Sequence, residues 1–500
     1  MAGKFPDHTP ISIVLMSLDR QLEAAVQRAE AALKRDLPNL SIRFHAAADW
    51  NRRADMLEAC KADIESADVV VASMLFMEDQ IRAILPALQA RREACDAIAG
   101  CLSSAEIVKL TKLGRFRMDK PESGPIALLK RLRGSSDKAK AGANQAKMLR
   151  RLPKLLKFIP GTAQDVRAYF LTLQYWLSGS DRNIENLIRY LLDRYARGPR
   201  AHLVGQMAPA APEVYPDVGV YHPRMTPHVA ERATKLPLAR SSRPTVGLLI
   251  MRSYVLSGDT GHYDGVIQAL EARGLRVIPA FSSGLDGRAA VRSQFMKDGR
   301  PIVDAIVSLT GFSLVGGPAY NDAVAAAEIL DGIDVPYLSA QALEFQTMEG
   351  WGANAQGLSP VETTIMVAIP EIDGATGPIV FGARSGGEAC TGCARACQPE
   401  PSMAEPGVMR MQSCQERAEM LARRVEKLIA LRQTPPKDRK VAITLFNFPP
   451  NGGAAGTAAY LAVFESLFNT LVRMKAEGYA VDLPADVDAL RDRLLGGNSD

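Results

Sequence analysis

Short apolar runs separated by helical stretches constrain this chain more than any other feature. "ISIVLMS", "LSIRFHA" and "ADVVVASML" fall between Ile11 and Leu75. "ISIVLMS" is a short apolar run fit for a buried strand, and "LSIRFHA" and "ADVVVASML" read as the second and third strands. Between them, "DRQLEAAVQRAEAALKRDL" and "RADMLEACKADIES" place apolar residues at helical spacing. Apolar strands alternating with amphipathic helices form a parallel sheet covered on both faces. The rhythm returns after Pro244 with "TVGLLIMRS", "LRVIPAFS", "VDAIVSLTG" and "VPYLSA", and the helix "HYDGVIQALEARG" closes at Gly274. The predicted fold class is α/β and multi-domain, with doubly wound parallel-sheet units joined by helical and linker segments.

At roughly 150 residues per domain, 500 residues predict about three domains. The boundaries read as an N-terminal α/β domain over 1–105, a basic, partly flexible segment over 106–165 and a helical pair over 166–205. A Pro-rich linker or extended lead-in follows over 206–243. An α/β domain over 244–437 carries a cysteine cluster. A further α/β unit starts over 438–500, with "KVAITLFNF" as its strand, and only its start is present. From Lys109 to Lys157 there are fifteen Lys and Arg against Asp119, Glu122 and Asp137, a net +12 in a chain of +5. Only Phe116 and Phe158 interleave those charges, which argues against a nucleic-acid surface. A partner-docking face or a peripheral lipid contact through "KMLRRLPKLLKF" fits better. No apolar run reaches the ~18 residues of a membrane span. "ISIVLM" is too short for a secretory signal, so the expected location is cytoplasmic, where structural disulfides are not expected.

Seven cysteines serve the whole chain, and three of them stand as C-x2-C-x3-C at Cys390, Cys393 and Cys397, with Cys414 beyond. Four thiolates can hold zinc or an iron–sulfur cluster. Zinc sites pair two knuckles of two ligands each. The three-plus-one layout here favours a [4Fe–4S] cluster, with zinc and simply buried or reactive thiols as the alternatives. Gly386, Gly387 and Gly392 would let the loop wrap closely, and Arg384 and Arg395 would offset the charge. "NGGAAGT" includes Asn451, Gly452 and Gly453 at a strand-to-helix turn. It either seats an anion on backbone amides or packs a helix closely on a strand. It is not a Walker A motif. "RSYVLSGDTGHYDG" follows a strand and holds Ser257, Asp259, Thr260, His262, Tyr263 and Asp264. His262 near a helix start would stay neutral and act as base or ligand, unless the polar residues simply cap that helix. Trp351 is a stacking surface for a flat ligand or an anchor for its loop.

Together "YFLTLQYWLSGSDRNIENLI", "GVYHPRM", "RSYVLSGDTGHYDGVIQALEARG", "SLTGFSLVGGPA", "LSPVETTIMVAIPEIDG" and "ITLFNFPPNGGAAGTAAYL" resemble the large, porphyrin-binding subunits of magnesium chelatase, bacteriochlorophyll-pathway type. They are more distantly similar to the large subunit of aerobic cobaltochelatase. Family members are more than twice as long, which makes this chain an N-terminal part. The resemblance implies ATP-dependent insertion of Mg2+ into protoporphyrin IX, with two AAA+-type partners hydrolysing ATP. The methyltransferase acting next is a further candidate partner. It also implies an oxygen-sensitive [4Fe–4S] cluster at Cys390, Cys393, Cys397 and Cys414. For the porphyrin, Trp351 is the candidate for stacking. Arg252, His262, Tyr263 and the amides of Asn451, Gly452 and Gly453 are the candidates for polar contacts. His262 is the one candidate for a catalytic role. The alternative reading is a redox-sensing or regulatory iron–sulfur protein.

Overall fold

The computed structural model describes residues 9–50, 53–119, 151–317, 320–386, 390–393, 409–446, 456 and 461–496. The chain divides into two compact units, Met1–Leu421 and Ala422–Asp500.

In the first unit, β1 (Ile11–Ser17), β2 (Leu40–Ala46), β3 (Val69–Ser73) and β4 (Ala97–Cys101) run parallel in the order β2-β1-β3-β4. Alternate residues of these strands go to opposite cores. Ile13, Leu15, Val69, Val71, Ala97 and Ala99 pack beneath α1 (Glu23–Leu33). Val14, Met16, Val70, Ala72 and Ile98 pack beneath α2 (Ala54–Ser66) and α3 (Glu78–Arg91), against Cys60, Ile64, Ile84 and Leu88. Both faces are dry at β1, β3 and β4, which read as nearly continuous apolar runs, while edge strand β2 exposes Arg43. The sheet continues past residue 105. Two short antiparallel strands, β5 (Lys112–Leu113) and β6 (Phe116–Arg117), come from the basic segment.

The helical pair is α4 (Thr162–Ser178) and α5 (Asp181–Tyr195), where the Ser180 hydroxyl at the N-cap accepts from the Asn183 N–H at 3.2 Å. The pair is not a separate segment. Val166, Tyr169, Leu173, Ile184, Leu187 and Leu191 join the core that α1 makes with the sheet.

The lead-in over 206–243 contributes β7 (Val218–Tyr221) and β8 (Val229–Ala230) to a second, eight-stranded sheet. Its centre is parallel: β9 (Thr245–Leu249), β10 (Arg276–Ser282), β11 (Ala305–Ser308), β12 (Tyr337–Thr347) and β13 (Thr376–Ser385), in the order β13-β12-β11-β9-β10. Antiparallel β7 closes one side and β14 (Arg410–Ser413) the other. Strand order reverses beside β9, the doubly wound pattern. Between β9 and β10 come α6 (Arg252–Ser257) and α7 (Gly261–Ala272), and α8 (Ala323–Ile333) covers the opposite face. The glycines of "GHYDG" have a packing reason. A Cβ on Gly261 would lie 2.7 Å from the Met411 carbonyl oxygen, and one on Gly265 would strike the Ser413 hydroxyl. Only bare backbone lets α7 lie on β14. After β12 comes α9 (Met348–Ala353).

In the second unit the described residues form helices, α11 (Val463–Ala476) and α12 (Val487–Gly496), after the end of α10 (Gln415–Gln433). Residues 440–446, expected as a strand, take no regular structure.

Candidate functional site

The carboxyl ends of the two sheets meet. Just after β1, Gln21 Nε2 donates to Ser253 Oγ at 2.5 Å, and Arg28 Nη2 of α1 donates to the Ser257 carbonyl at 2.5 Å. Loops at these strand ends are where α/β folds carry ligands. At the reversal point of the second sheet, Met251, Ser282, Ser308, Thr310, Phe312 and Ser313 line a cavity of about 30 Å³. That volume admits a water. A ligand pocket takes roughly 300 Å³ or more.

Beside it lies a buried ionic cluster. Arg384, at the end of β13 and 4% exposed, donates Nη1 to Asp259 Oδ2 at 3.2 Å and Nη2 to Glu344 Oε2 at 3.1 Å. Nη2 also reaches the Tyr254 hydroxyl at 3.3 Å. Asp259 Oδ1 accepts from the Met411 N–H at 3.0 Å. Burial pushes the Glu344 carboxyl above its ordinary value, against the pull of Arg384. Across the junction, burial likewise raises Glu23, which Arg20 holds by an ion pair at 2.8 Å. This corrects one expectation: Arg384 serves Asp259 and Glu344. Arg395 lies outside the described residues.

His262 sits inside this cluster, 1% exposed. Its ring is 3.7 Å from that of Tyr263, 5.0 Å from that of Tyr254, and stacked at 6.0 Å on Phe381. Neither ring nitrogen has a hydrogen-bond partner among the described residues. Burial first, then the Arg384 charge, depress its pKa well below the ordinary 6.5. It is therefore a neutral histidine at neutral pH. Tyr263 is 1% exposed and its hydroxyl accepts from the Met251 N–H at 3.1 Å. Arg252 is half-buried and donates to the carbonyls of Pro216 at 3.0 Å and Tyr215 at 3.3 Å. The expected capping role of the neighbouring polar residues is not what they do. Thr260 stands at the N-cap of α7 without a side-chain cap, its hydroxyl donating to Asp264 at 3.0 Å.

The cysteines assemble on the far edge of this domain. Cys390 and Cys414 are 6% and 9% exposed in one apolar cluster with Leu343 and Met348, and Trp351 packs against it. Burial raises the Cys414 thiol, and the charges that Cys393 and Cys390 would carry raise it further, so the three sulfurs share one neighbourhood. The Cys390 thiol donates to the Met348 carbonyl at 3.8 Å. A Cβ on Gly392 would lie 2.6 Å from the Gly352 Cα, and one on Gly352 would lie 2.8 Å from Cys390 Sγ. Glycine–glycine contact thus sets the loop on α9. Among the described residues no group of three or more His, Cys, Asp or Glu is placed to hold a metal ion. Trp351 is half-buried, with the Arg417 guanidinium 5.3 Å over its ring. Cys397, Asn451, Gly452 and Gly453 lie outside the described residues.

The structure places His262 in the buried ionic cluster and brings Cys390, Cys393 and Cys414 to one edge. Sequence reasoning did not single out Arg20, Gln21 and Glu23. Their signal was present: a polar run directly after a buried strand, where an α/β domain places its functional loops.

No helix among the described residues is long and apolar enough to cross a membrane. The chain resembles known proteins throughout. A domain of unknown function (DUF3479) matches residues 12–170, and the CobN/Magnesium Chelatase family model matches residues 173–500. The magnesium-chelatase H-subunit of Cereibacter sphaeroides is 49% identical over 99% of this chain and 41% of its own length. The chloroplastic magnesium-chelatase ChlH protein of rice is 33% identical over 97% of the chain and 34% of its own. The catalytic subunit of cobaltochelatase from Mycobacterium tuberculosis superposes over 98% of the chain and 33% of its own, with a TM-score of 0.53 at 20% identity, a likeness of fold. The chain thus spans well under half of these relatives, and it belongs to the CobN/magnesium chelatase family.

Proposed function

We propose that this chain works within the porphyrin-binding subunit of a magnesium chelatase. The reaction inserts Mg2+ into protoporphyrin IX to give Mg-protoporphyrin IX for (bacterio)chlorophyll synthesis. Two AAA+-type partner proteins hydrolyse the ATP that drives it, and the methyltransferase that follows takes the product. One observation carries the reading: 49% identity to a magnesium-chelatase H-subunit over 99% of this chain. A macrocycle does not enter a cavity of about 30 Å³. Of the candidate contacts, His262 and Tyr263 are closed to solvent and Arg252 is committed to backbone carbonyls. Trp351 is the candidate that presents a ring for stacking.

The test titrates protoporphyrin IX or a deuterated analogue into the chain and into the longer protein, following tryptophan fluorescence. Trp50 and Trp176 are 6% and 5% exposed, so contact quenching reports on Trp351. Saturable quenching that Trp351→Phe weakens supports the reading. Absence of binding by both proteins refutes it.

We propose further that Cys390, Cys393, Cys397 and Cys414 hold a [4Fe–4S] cluster. Three of the four thiols share one apolar, glycine-lined corner, a fit for a bulky anionic cluster with Arg417 close by. Such a cluster supplies one-electron chemistry and sensitivity to oxygen when bound. Anaerobic purification with iron and sulfide analysis tests it. A colourless protein with stoichiometric zinc rejects it.

A further inference from the structure

We propose that residues 151–160 form a docking patch for an anionic lipid surface. The segment "RLPKLLKFIP" is sorted by its fold into two faces. Residues 151–156 are helical, and Leu152 and Leu156, each 8% exposed, sink into the core beneath α4. The intervening apolar residues point out: Leu155 is 66% exposed, Ile159 49% and Phe158 83%. Arg151, Lys154 and Lys157 are exposed among them.

This exposure is held in place. The two N–H groups of Gln164 Nε2 are shared among the carbonyls of Leu156 at 2.8 Å, Ile159 at 2.6 Å and Lys157 at 3.2 Å. Arg167 Nε donates to the Pro153 carbonyl at 3.0 Å. One side chain clamping three carbonyls fixes the turn that carries Phe158. Single exposed apolar residues are ordinary; three within five positions, on a clamped turn and interleaved with cations, are a patch. The nearby acid, Asp165, is occupied. It accepts from the Tyr195 hydroxyl at 3.0 Å and the Arg115 N–H at 3.0 Å, and Arg194 is 3.7 Å away. Among the described residues, Arg151, Lys154 and Lys157 therefore face outward without an acid paired to them.

Apolar tips ringed by Lys and Arg insert at the boundary of headgroups and acyl chains, with the cations at the headgroups. A phenyl ring 83% exposed stands out from the surface. That shape enters a yielding interface better than it fits a rigid socket, which favours a bilayer over a protein partner. Each cation near an anionic leaflet strengthens binding roughly fivefold.

Flotation of the purified chain with vesicles tests this. One set is phosphatidylcholine alone and the other is phosphatidylcholine with phosphatidylglycerol in equal parts. Expected is binding to the anionic set that falls with salt. Leu155→Ser/Phe158→Ser/Ile159→Ser and Lys154→Glu/Lys157→Glu should each weaken it at least tenfold, with unchanged circular dichroism. In a separate Phe158→Trp protein the added indole should shift to the blue on binding. Equal binding to both vesicle sets, no vesicle binding, or anionic binding that survives the triple change without a blue shift would overturn the proposal. Loss of an acidic protein partner in the same variants, without any lipid binding, would overturn it in favour of that partner.

Discussion

Arg384→Met should be among the most damaging single changes in the second α/β domain. Methionine keeps the apolar stem and removes the charge. Asp259, its side chain 4% exposed, loses its cation, and Glu344, 29% exposed at its side chain, loses the group that offsets its burial. Breaking a buried pair typically costs about 3–5 kcal/mol. Here the lower figure applies, because Asp259 keeps the Met411 N–H and Glu344 can reach water. A loss of ~3 kcal/mol moves a urea midpoint by roughly 1–2 M at ordinary m-values. Urea unfolding followed by circular dichroism and by Trp351 emission reads it. Adding Asp259→Asn to the variant removes the stranded charge and should return about half of the loss. The pH dependence has a definite sign. The Glu344 pKa is raised above 4.5, so its ionised form costs folded stability above that value and nothing below it. Without Arg384 that cost grows. The deficit of the variant should thus be largest near neutral pH and shrink as pH falls toward 4.5. A deficit under ~1 kcal/mol would refute the reasoning. So would a double variant no more stable than the single one.

His262→Phe should change the acid limb of stability. The wild-type ring has a pKa well below 6.5, so the unfolded chain binds the proton first. The site's contribution is complete above 6.5 and is lost as pH falls below it, by up to about 1.4 kcal/mol per pH unit. In pH-resolved urea melts the phenylalanine variant should lack that share of the slope, with stability near neutral pH little changed, since it replaces two unpartnered nitrogens. Gly392→Ala places a Cβ 2.6 Å from the Gly352 Cα, backbone that cannot yield cheaply. It should lower iron and sulfide content after anaerobic purification, while Gly332→Ala in α8, with open space around it, leaves that content unchanged.

Strands such as β1, β3 and β9 were legible because each is buried on both faces, which leaves a nearly continuous apolar run, whereas β2 at the sheet edge alternates and exposes Arg43. The helical pair was legible as helices but not as a lid. α4 is apolar over much of its surface and α5 has one apolar face, and periodicity alone does not say which sheet they cover. The short strands β5 and β6 hid inside a segment whose charge dominated the reading. Only the antiparallel pairing of β5 with β4 and of β6 with β5, with the buried Lys112 ammonium donating to the Glu93 carbonyl at 3.0 Å, shows that they belong to the first sheet.

The candidate site divides along the same line. Cysteine spacing is a local property, so C-x2-C-x3-C declared itself. What brings Cys414 to the loop is not local: the antiparallel pairing of β13 with β14, Gly382 opposite Ser413, delivers it to the same edge. Arg384 lies between these two scales. Read locally it is a cation near a thiolate loop. Read through the sheet it is at the carboxyl end of β13, where Asp259 from the β9–α7 connection and Glu344 from β12 converge. Three strand ends meeting at one guanidinium hold His262 dry and uncharged. That dryness follows from topology, and no sequence window around His262 contains it.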